Sequence, residues 1–242
     1  HALKAQGVDK DIVVALFLPA SIAYVISLPA VAKAGGIFLP LDIATPEHRL
    51  NYVLNKTLPK LIITDKALED TLQQKLQQAA VTPIPNLLWD ATVQFPEHNP
   101  ELTAEGEDSI YLLFTSGSTG NPKAIAGRQK SLSHFIHWEI KEFNLDERVR
   151  VSFLAAPTFD VSLRDMFVPL IAGGTLCIPS VETRSHATKL LHWIHDAQLT
   201  TVHCVPSLFR LLLRELENTA QPQQLLPHLE RVLLAGEPLY SK

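Results

Sequence analysis

Cysteine occurs only twice in this 242-residue chain, as Cys177 and Cys204, and methionine once. Two thiols inside apolar, strand-like runs cannot form a disulfide framework; they fit reduced, buried side chains and a cytoplasmic protein. Charge of one sign is also not concentrated anywhere. Twenty-one Lys and Arg stand against 25 Asp and Glu, for a net charge of −4, and the basic residues are scattered, which argues against a nucleic-acid partner. Metal-ligand patterns are missing too. Ten histidines include His134 with His137 and His192 with His195 at helical spacing, yet there is no HExxH, no CxxC and no carboxylate placed with them, so no metal ligands are expected. No Gly-x-Ser-x-Gly elbow for hydrolysis occurs, and no internal repeat or low-complexity tract. One uncharged stretch, Ile12 to Ala32, is long enough for a membrane span. Its prolines and serines read instead as a buried strand over Ile12 to Leu18, a turn at Pro19, and a helix to about Lys33 ended by Gly35-Gly36. The first residues lack the pattern of a secretory signal, and His1 reads as a start in mid-protein.

A composition of 46% hydrophobic and 19% charged residues suits a sizeable buried core. Strand and helix signals alternate along the whole length. Strands are expected at Gly36 to Leu39, Leu61 to Thr64, near Leu87 to Trp89, Ile110 to Phe114, Val151 to Leu154, Thr175 to Ile178, Thr201 to Val205 and Arg231 to Leu234. Helices are expected from the Thr45-Pro46 cap, at about Ala67 to Ala80, Ser131 to Phe143, around Val161 to Ile171, His186 to Ala197 and Pro206 to Leu216. This is an α/β pattern with apolar strands covered on both faces. The loosest stretch, Gln94 to Asp108, carries two prolines and five acidic residues; it is the expected internal boundary, giving halves of about 1–105 and 106–242.

The most informative segment runs from Tyr111 to Lys123, where an apolar strand enters a loop of hydroxyls and glycines that closes on a lysine. Gly117 and Gly120 let backbone N–H groups approach an anion; Thr115, Ser116, Ser118 and Thr119 add hydroxyl donors, and Lys123 a mobile positive charge. A Walker P-loop is excluded, because Asn121 and Pro122 separate Gly120 from Lys123. Two readings stay open from the residues alone: a phosphate cradle, or a flexible small-residue hairpin loop.

The run Leu113 to Lys123 resembles the signature phosphate loop of the adenylate-forming superfamily, except that Ala124 stands where glycine is usual. Phe159-Asp160-Val161-Ser162 and the segment Leu28 to Asp42 resemble two further motifs of one branch, the amino-acid-activating adenylation domains of nonribosomal peptide synthetases. The resemblance covers nearly the whole chain. It implies the large N-terminal core of an adenylate-forming enzyme, with mixed and parallel sheets flanked by helices, incomplete and without the C-terminal lid domain.

The implied activity is condensation of an amino acid with ATP, assisted by Mg2+, to aminoacyl-AMP, followed by transfer to the thiol of a peptidyl carrier domain within neighbouring synthetase modules. The loop Thr115 to Gly120 with Lys123 would hold ATP phosphates. Asp160 would bind the substrate ammonium as a buried carboxylate, or else merely cap a helix. Phe159 would wall the pocket or serve as a core aromatic. Val161, Arg164, Cys204, Leu233 and Ala235 are the implied side-chain pocket. Arg164 either meets a polar substrate group or points outward to pair with a carboxylate. Asp165 replaces a common glutamate, read as tolerated variation, and Gly236-Glu237 resembles a nucleotide- and substrate-facing turn. The family's adenine, ribose and lid-lysine segments are not found before Lys242, so the catalytic lysine is not assigned and the chain alone is expected to be catalytically weak. An acyl- or aryl-CoA ligase, or a non-catalytic docking fragment, are the alternatives.

Overall fold

The computed structural model describes residues 1–101, 104–115, 122–219 and 225–238, except for the side chain of Val93. The chain divides into two compact units, His1–Ser133 and His134–Lys242.

In the first unit, a short helix α1 (Ala2–Ala5) leads into β1 (Val13–Leu16), α2 (Ile22–Lys33), β2 (Ile37–Pro40), α3 (Glu47–Thr57), β3 (Leu61–Thr64), α4 (Glu69–Gln78) and β4 (Asn86–Leu88). A 3-10 turn at Trp89–Gln94 precedes the hairpin β5 (Ser109–Thr115) and β6 (Lys123–Arg128). The six strands form one sheet in the order β4-β3-β1-β2-β5-β6. All neighbours are parallel except β5 and β6. The inner strands are nearly continuous apolar runs because helices cover both faces; all four residues of β2 and of β3 are buried. Phe17, Leu39, Leu50, Leu54, Ile62 and Leu72 meet in its core.

The uncharged stretch becomes β1 and α2, as expected. Ser21 caps α2 by accepting the Tyr24 N–H at 3.2 Å, and Gly35, at φ 88°, turns the chain out of the helix as only glycine does readily. No helix among the described residues is long and apolar enough to cross a membrane. The entry to α3 differs from expectation. Pro46 occupies the cap position itself and no side chain caps the helix, while Asp42 accepts the Ala44 N–H at 2.8 Å in the preceding turn.

The second unit contains most of α5 (Gln129–Glu142), then β7 (Arg150–Ser152), α6 (Val161–Ala172), β8 (Thr175–Cys177), α7 (Val181–Ser185), α8 (Ala187–Asp196), β9 (Thr201–Cys204), α9 (Pro206–Glu217) and β10 (Arg231–Leu234). Its parallel sheet has the order β10-β9-β7-β8. Leu190, Leu191, Ile194, Leu199 and Val202 form the core beneath α8 and α9. Pro206 opens α9 at the position where its missing N–H costs nothing.

The division falls later than the loose stretch Gln94 to Asp108 implied. β5 pairs with β2 through Phe38 and Tyr111, so it completes the first sheet instead of opening a second half.

Candidate functional site

The site residues fall in both units. In the first, β5 ends and β6 begins on the pair Thr115 and Lys123, so both flank the segment 116–121. Ser116, Gly117, Ser118, Thr119 and Gly120 lie outside the described residues. Lys123 is exposed. The mouth of the hairpin is tied down by Tyr52, whose hydroxyl donates to the Pro122 carbonyl at 3.1 Å and whose ring meets Phe114 edge-on at 6.5 Å. Ala124, where the resemblance has glycine, sits opposite Phe114 in β6 and is not among the positive-φ residues. An alanine is therefore unstrained there.

In the second unit, the turn before α6 carries Phe159 and Asp160. Ser162 fixes it by donating its hydroxyl to the carbonyls of Phe159 at 2.6 Å and Pro157 at 3.2 Å. Asp160 is the N-cap residue of α6, and its Oδ1 accepts the Val161 N–H at 2.9 Å. Its carboxylate is exposed, which corrects the expectation of a buried one; the turn lifts it clear of the sheet. Phe159 is 63% exposed, so it is not a core aromatic. Phe159→Ala should therefore change stability by no more than about 0.5 kcal/mol in denaturant unfolding. A larger loss would show that the ring is packed.

Arg164 does not point outward. It is largely buried and paired with the fully buried Glu139 of α5, its Nε donating to Oε1 at 3.0 Å and lying 2.7 Å from Oε2, off the hydrogen-bond axis. Asp165 is likewise more than a variable helix position. It is buried, and its Oδ1 lies 2.9 Å from His203 Nδ1 on β9, while its Oδ2 accepts the Ala155 N–H at 3.2 Å. His203 Nε2 stands 3.6 Å from Glu139 Oε1. Glu139, Arg164, Asp165 and His203 thus form one buried polar cluster linking α5, α6 and β9. Nothing in the sequence around Glu139 marks it. His203 did carry a signal, a lone polar ring inside the apolar strand Thr-Val-His-Cys.

The pocket residues on the strands are not all brought together. In the β9–β10 register Leu233 neighbours His203 and Leu234 neighbours Cys204. Alternation then sets Leu233 on the face of His203 and Cys204 on the other, where Cys204 packs against the α8–α9 core. Burial pushes the Cys204 thiol up to about 12, with the nearby Asp165 carboxylate adding to it, and burial also raises Cys177. Both cysteines are free. In the folded state neither should react with iodoacetamide at pH 8, where a free thiol already has a thiolate fraction. Rapid labelling of Cys204, read by mass spectrometry, would contradict this. Because its folded value lies above the ordinary one, Cys204 contributes stability that is complete below the ordinary thiol pKa and is lost as pH climbs toward 12.

Ala235 is half-buried past the end of β10, and Gly236 follows at φ 88°. Glu237 then turns back onto α9, accepting the Ser207 N–H at 2.9 Å and the Ser207 hydroxyl at 2.8 Å. These bonds, the hydroxyl's first, hold its carboxyl below the usual range.

An α/β protein with two helix-flanked, largely parallel sheets, two antiparallel strands on either side of the hydroxyl- and glycine-rich segment, and an aspartate at a helix entrance has the architecture of the N-terminal domain of adenylate-forming enzymes. The chain belongs to the AMP-binding enzyme family, whose profile matches residues 1–242. A dimodular nonribosomal peptide synthase of Bacillus subtilis (strain 168) is 31% identical over 242 residues, covering 98% of this chain and 10% of that protein. Among solved structures, the FmoA3 nonribosomal peptide synthetase bound to α-methyl-L-serine-AMP shares the fold with a TM-score of 0.86 at 21% identity, over 98% of this chain and 26% of that one. The o-succinylbenzoate CoA synthetase MenE of Bacillus subtilis does so with a TM-score of 0.78 at 19% identity, over 98% of this chain and 59% of its own. The chain thus spans about a tenth of the peptide synthase it matches.

Proposed function

We propose that the protein carrying this chain activates an α-amino acid as aminoacyl-AMP at the expense of ATP, for transfer to a carrier-protein thiol within a modular synthetase. The observation that carries the reading is Asp160. It stands at the mouth of α6, exposed, with no cationic partner among the described residues, as a receptor for a substrate ammonium requires. In this reading Phe159, Val161, Leu233 and Ala235 would supply the apolar surface for the substrate side chain, beside the turn at Gly236-Glu237.

In the proposed reaction a carboxylate oxygen of the amino acid attacks the α-phosphorus of ATP. The acyl–phosphate bond forms as the bond to the pyrophosphate oxygen breaks. The thiol sulfur of the carrier then attacks the acyl carbon, AMP leaves, and the thiol proton is lost to solvent. The chain contributes mainly position and charge: Asp160 holds the ammonium so that the carboxylate is presented in line, and Thr115 and Lys123, with the loop between them, hold the phosphates. Mg2+ would ride on the phosphate oxygens and offset their charge. A cytoplasmic location and the neighbouring synthetase modules belong to the same proposal, supported by the free thiols and by the modular relative.

The test is ATP–pyrophosphate exchange by the complete protein across a panel of amino acids and their des-amino acids, with Lys123→Ala alongside. Exchange with one α-amino acid, weakened at least about tenfold by the lysine change, is the expected result. Exchange with non-amino acids would transfer the reading to an acyl- or aryl-CoA ligase, whose fold MenE shares, and no exchange at all to a docking role.

A further inference from the structure

Asp160 and Arg164 are four residues apart at the start of α6, with the acid N-terminal to the base. At that spacing the two side chains are neighbours on one helix face and normally pair. They do not. Arg164 turns instead to Glu139 on α5, and the Asp160 carboxylate accepts only the Val161 N–H among the described residues. We infer that Glu139 is a positioning residue for substrate recognition: by holding Arg164, it withholds from Asp160 a cation one helical turn away that would neutralise it.

Burial decides the competition. The Glu139 side chain is 0% exposed and that of Arg164 16%, so their attraction acts in a poorly screened interior. A rival pair with Asp160 would form nearer to water and be worth less than the pair with Glu139. Glu139 also faces the rest of its cluster. His203, 3.6 Å away, is fixed in turn by Asp165, so a rigid element of β9 stands behind the carboxylate. With Glu139 neutral, Arg164 would lose the carboxylate it is paired with, Asp165 being engaged by His203 and the Ala155 N–H, and would swing one helical turn toward Asp160. An incoming ammonium would then meet an occupied carboxylate and a like charge beside it. The inference rests on the reading of Asp160 as the ammonium receptor.

The experiment compares kcat/KM for ATP–pyrophosphate exchange with the activated amino acid and with its des-amino acid, in the complete protein. Glu139→Gln, which keeps the volume and removes the charge, should lower the ratio of the two at least about tenfold, the scale on which loss of a binding-site charge partner is felt. The loss should appear in KM for the amino acid more than in kcat. The double variant Glu139→Gln/Arg164→Gln, which leaves no cation to swing, should restore the ratio. A purely structural Glu139 would depress both substrates alike, and Arg164→Gln would not rescue it. That outcome, or an unchanged ratio, overturns the inference. If Glu139→Gln does not fold, Glu139→Asp carries the same test, since it draws the carboxylate back and should lower the ratio partly. An unaltered ratio there also overturns it. Failure of the underlying reading shows separately, as an Asp160→Asn protein that still discriminates the amino acid from its des-amino analogue.

Discussion

Asp160→Ala is expected to lower amino-acid-dependent exchange at least about a hundredfold, equivalent to ~3 kcal/mol, which lies within the cost of removing one partner of a desolvated charge pair. Once substrate covers the mouth of α6, the ammonium has no other anion assigned to it there, so nothing compensates. The variant also removes the acceptor for the Val161 N–H, and loss of an N-cap costs about 1 kcal/mol of stability. Asp160→Asn separates the two effects. The amide keeps the cap and loses the charge, so stability should hold while exchange still falls. ATP binding by either variant should be unchanged, since Thr115 and Lys123, proposed to hold phosphate, lie on the β5–β6 hairpin. An Asp160→Asn protein with exchange within a few-fold of the parent would remove the basis of the amino-acid reading.

The second large effect is expected at Gly127. It faces Tyr111 across the hairpin, and a Cβ built there would stand 1.8 Å from the ring carbon Cζ. The ring cannot move freely, because it stacks on Phe38 with centroids 6.0 Å apart. Gly127→Ala should therefore destabilise by about 2–3 kcal/mol, the upper range for overpacking, in urea unfolding. It should also weaken ATP binding, as Thr115 and Lys123 sit on the same two strands. Tyr111→Ala in the Gly127→Ala background should recover part of the stability, because the clash is removed even though the stacking is lost. A change within about 0.5 kcal/mol for Gly127→Ala, the ordinary range for a harmless surface substitution, would mean the ring yields at no cost.

Strands buried on both faces wrote themselves into the sequence. Leu61 to Thr64 was legible to the residue, because an uninterrupted apolar run between turn signals has few other fates; the half-buried Arg231 to Leu234 was legible as well. β6 was not legible: Lys123–Arg128 is mostly exposed, and an edge strand needs little apolar content when its partner supplies the pairing. The unit boundary was misplaced for a related reason, since the pairing of β5 with β2 is a long-range contact that acidic, proline-containing linker composition does not report. Of the proposed site, Asp160 and Lys123 are singled out by the sequence because they sit inside motifs with fixed spacing. The role of Arg164 could not, as its partner Glu139 lies 25 positions earlier on another helix, and a helical glutamate normally faces water. The separation of Cys204 from Leu233 depends on strand register, which no short stretch of sequence specifies.

Glu237 gives the region an asymmetry of stiffness. Its two bonds to Ser207 latch the turn after β10 to the first turn of α9, so Leu233 and Ala235 shift only together with that helix or by unfastening both bonds. Phe159, by contrast, is moored through its backbone while its ring is exposed. On the proposed reading, a bulkier or slimmer amino acid would be accommodated by a change of rotamer at the entrance of α6, with the strand side serving as an anvil. Retuning its substrate range would then begin at Phe159 and leave the latch intact.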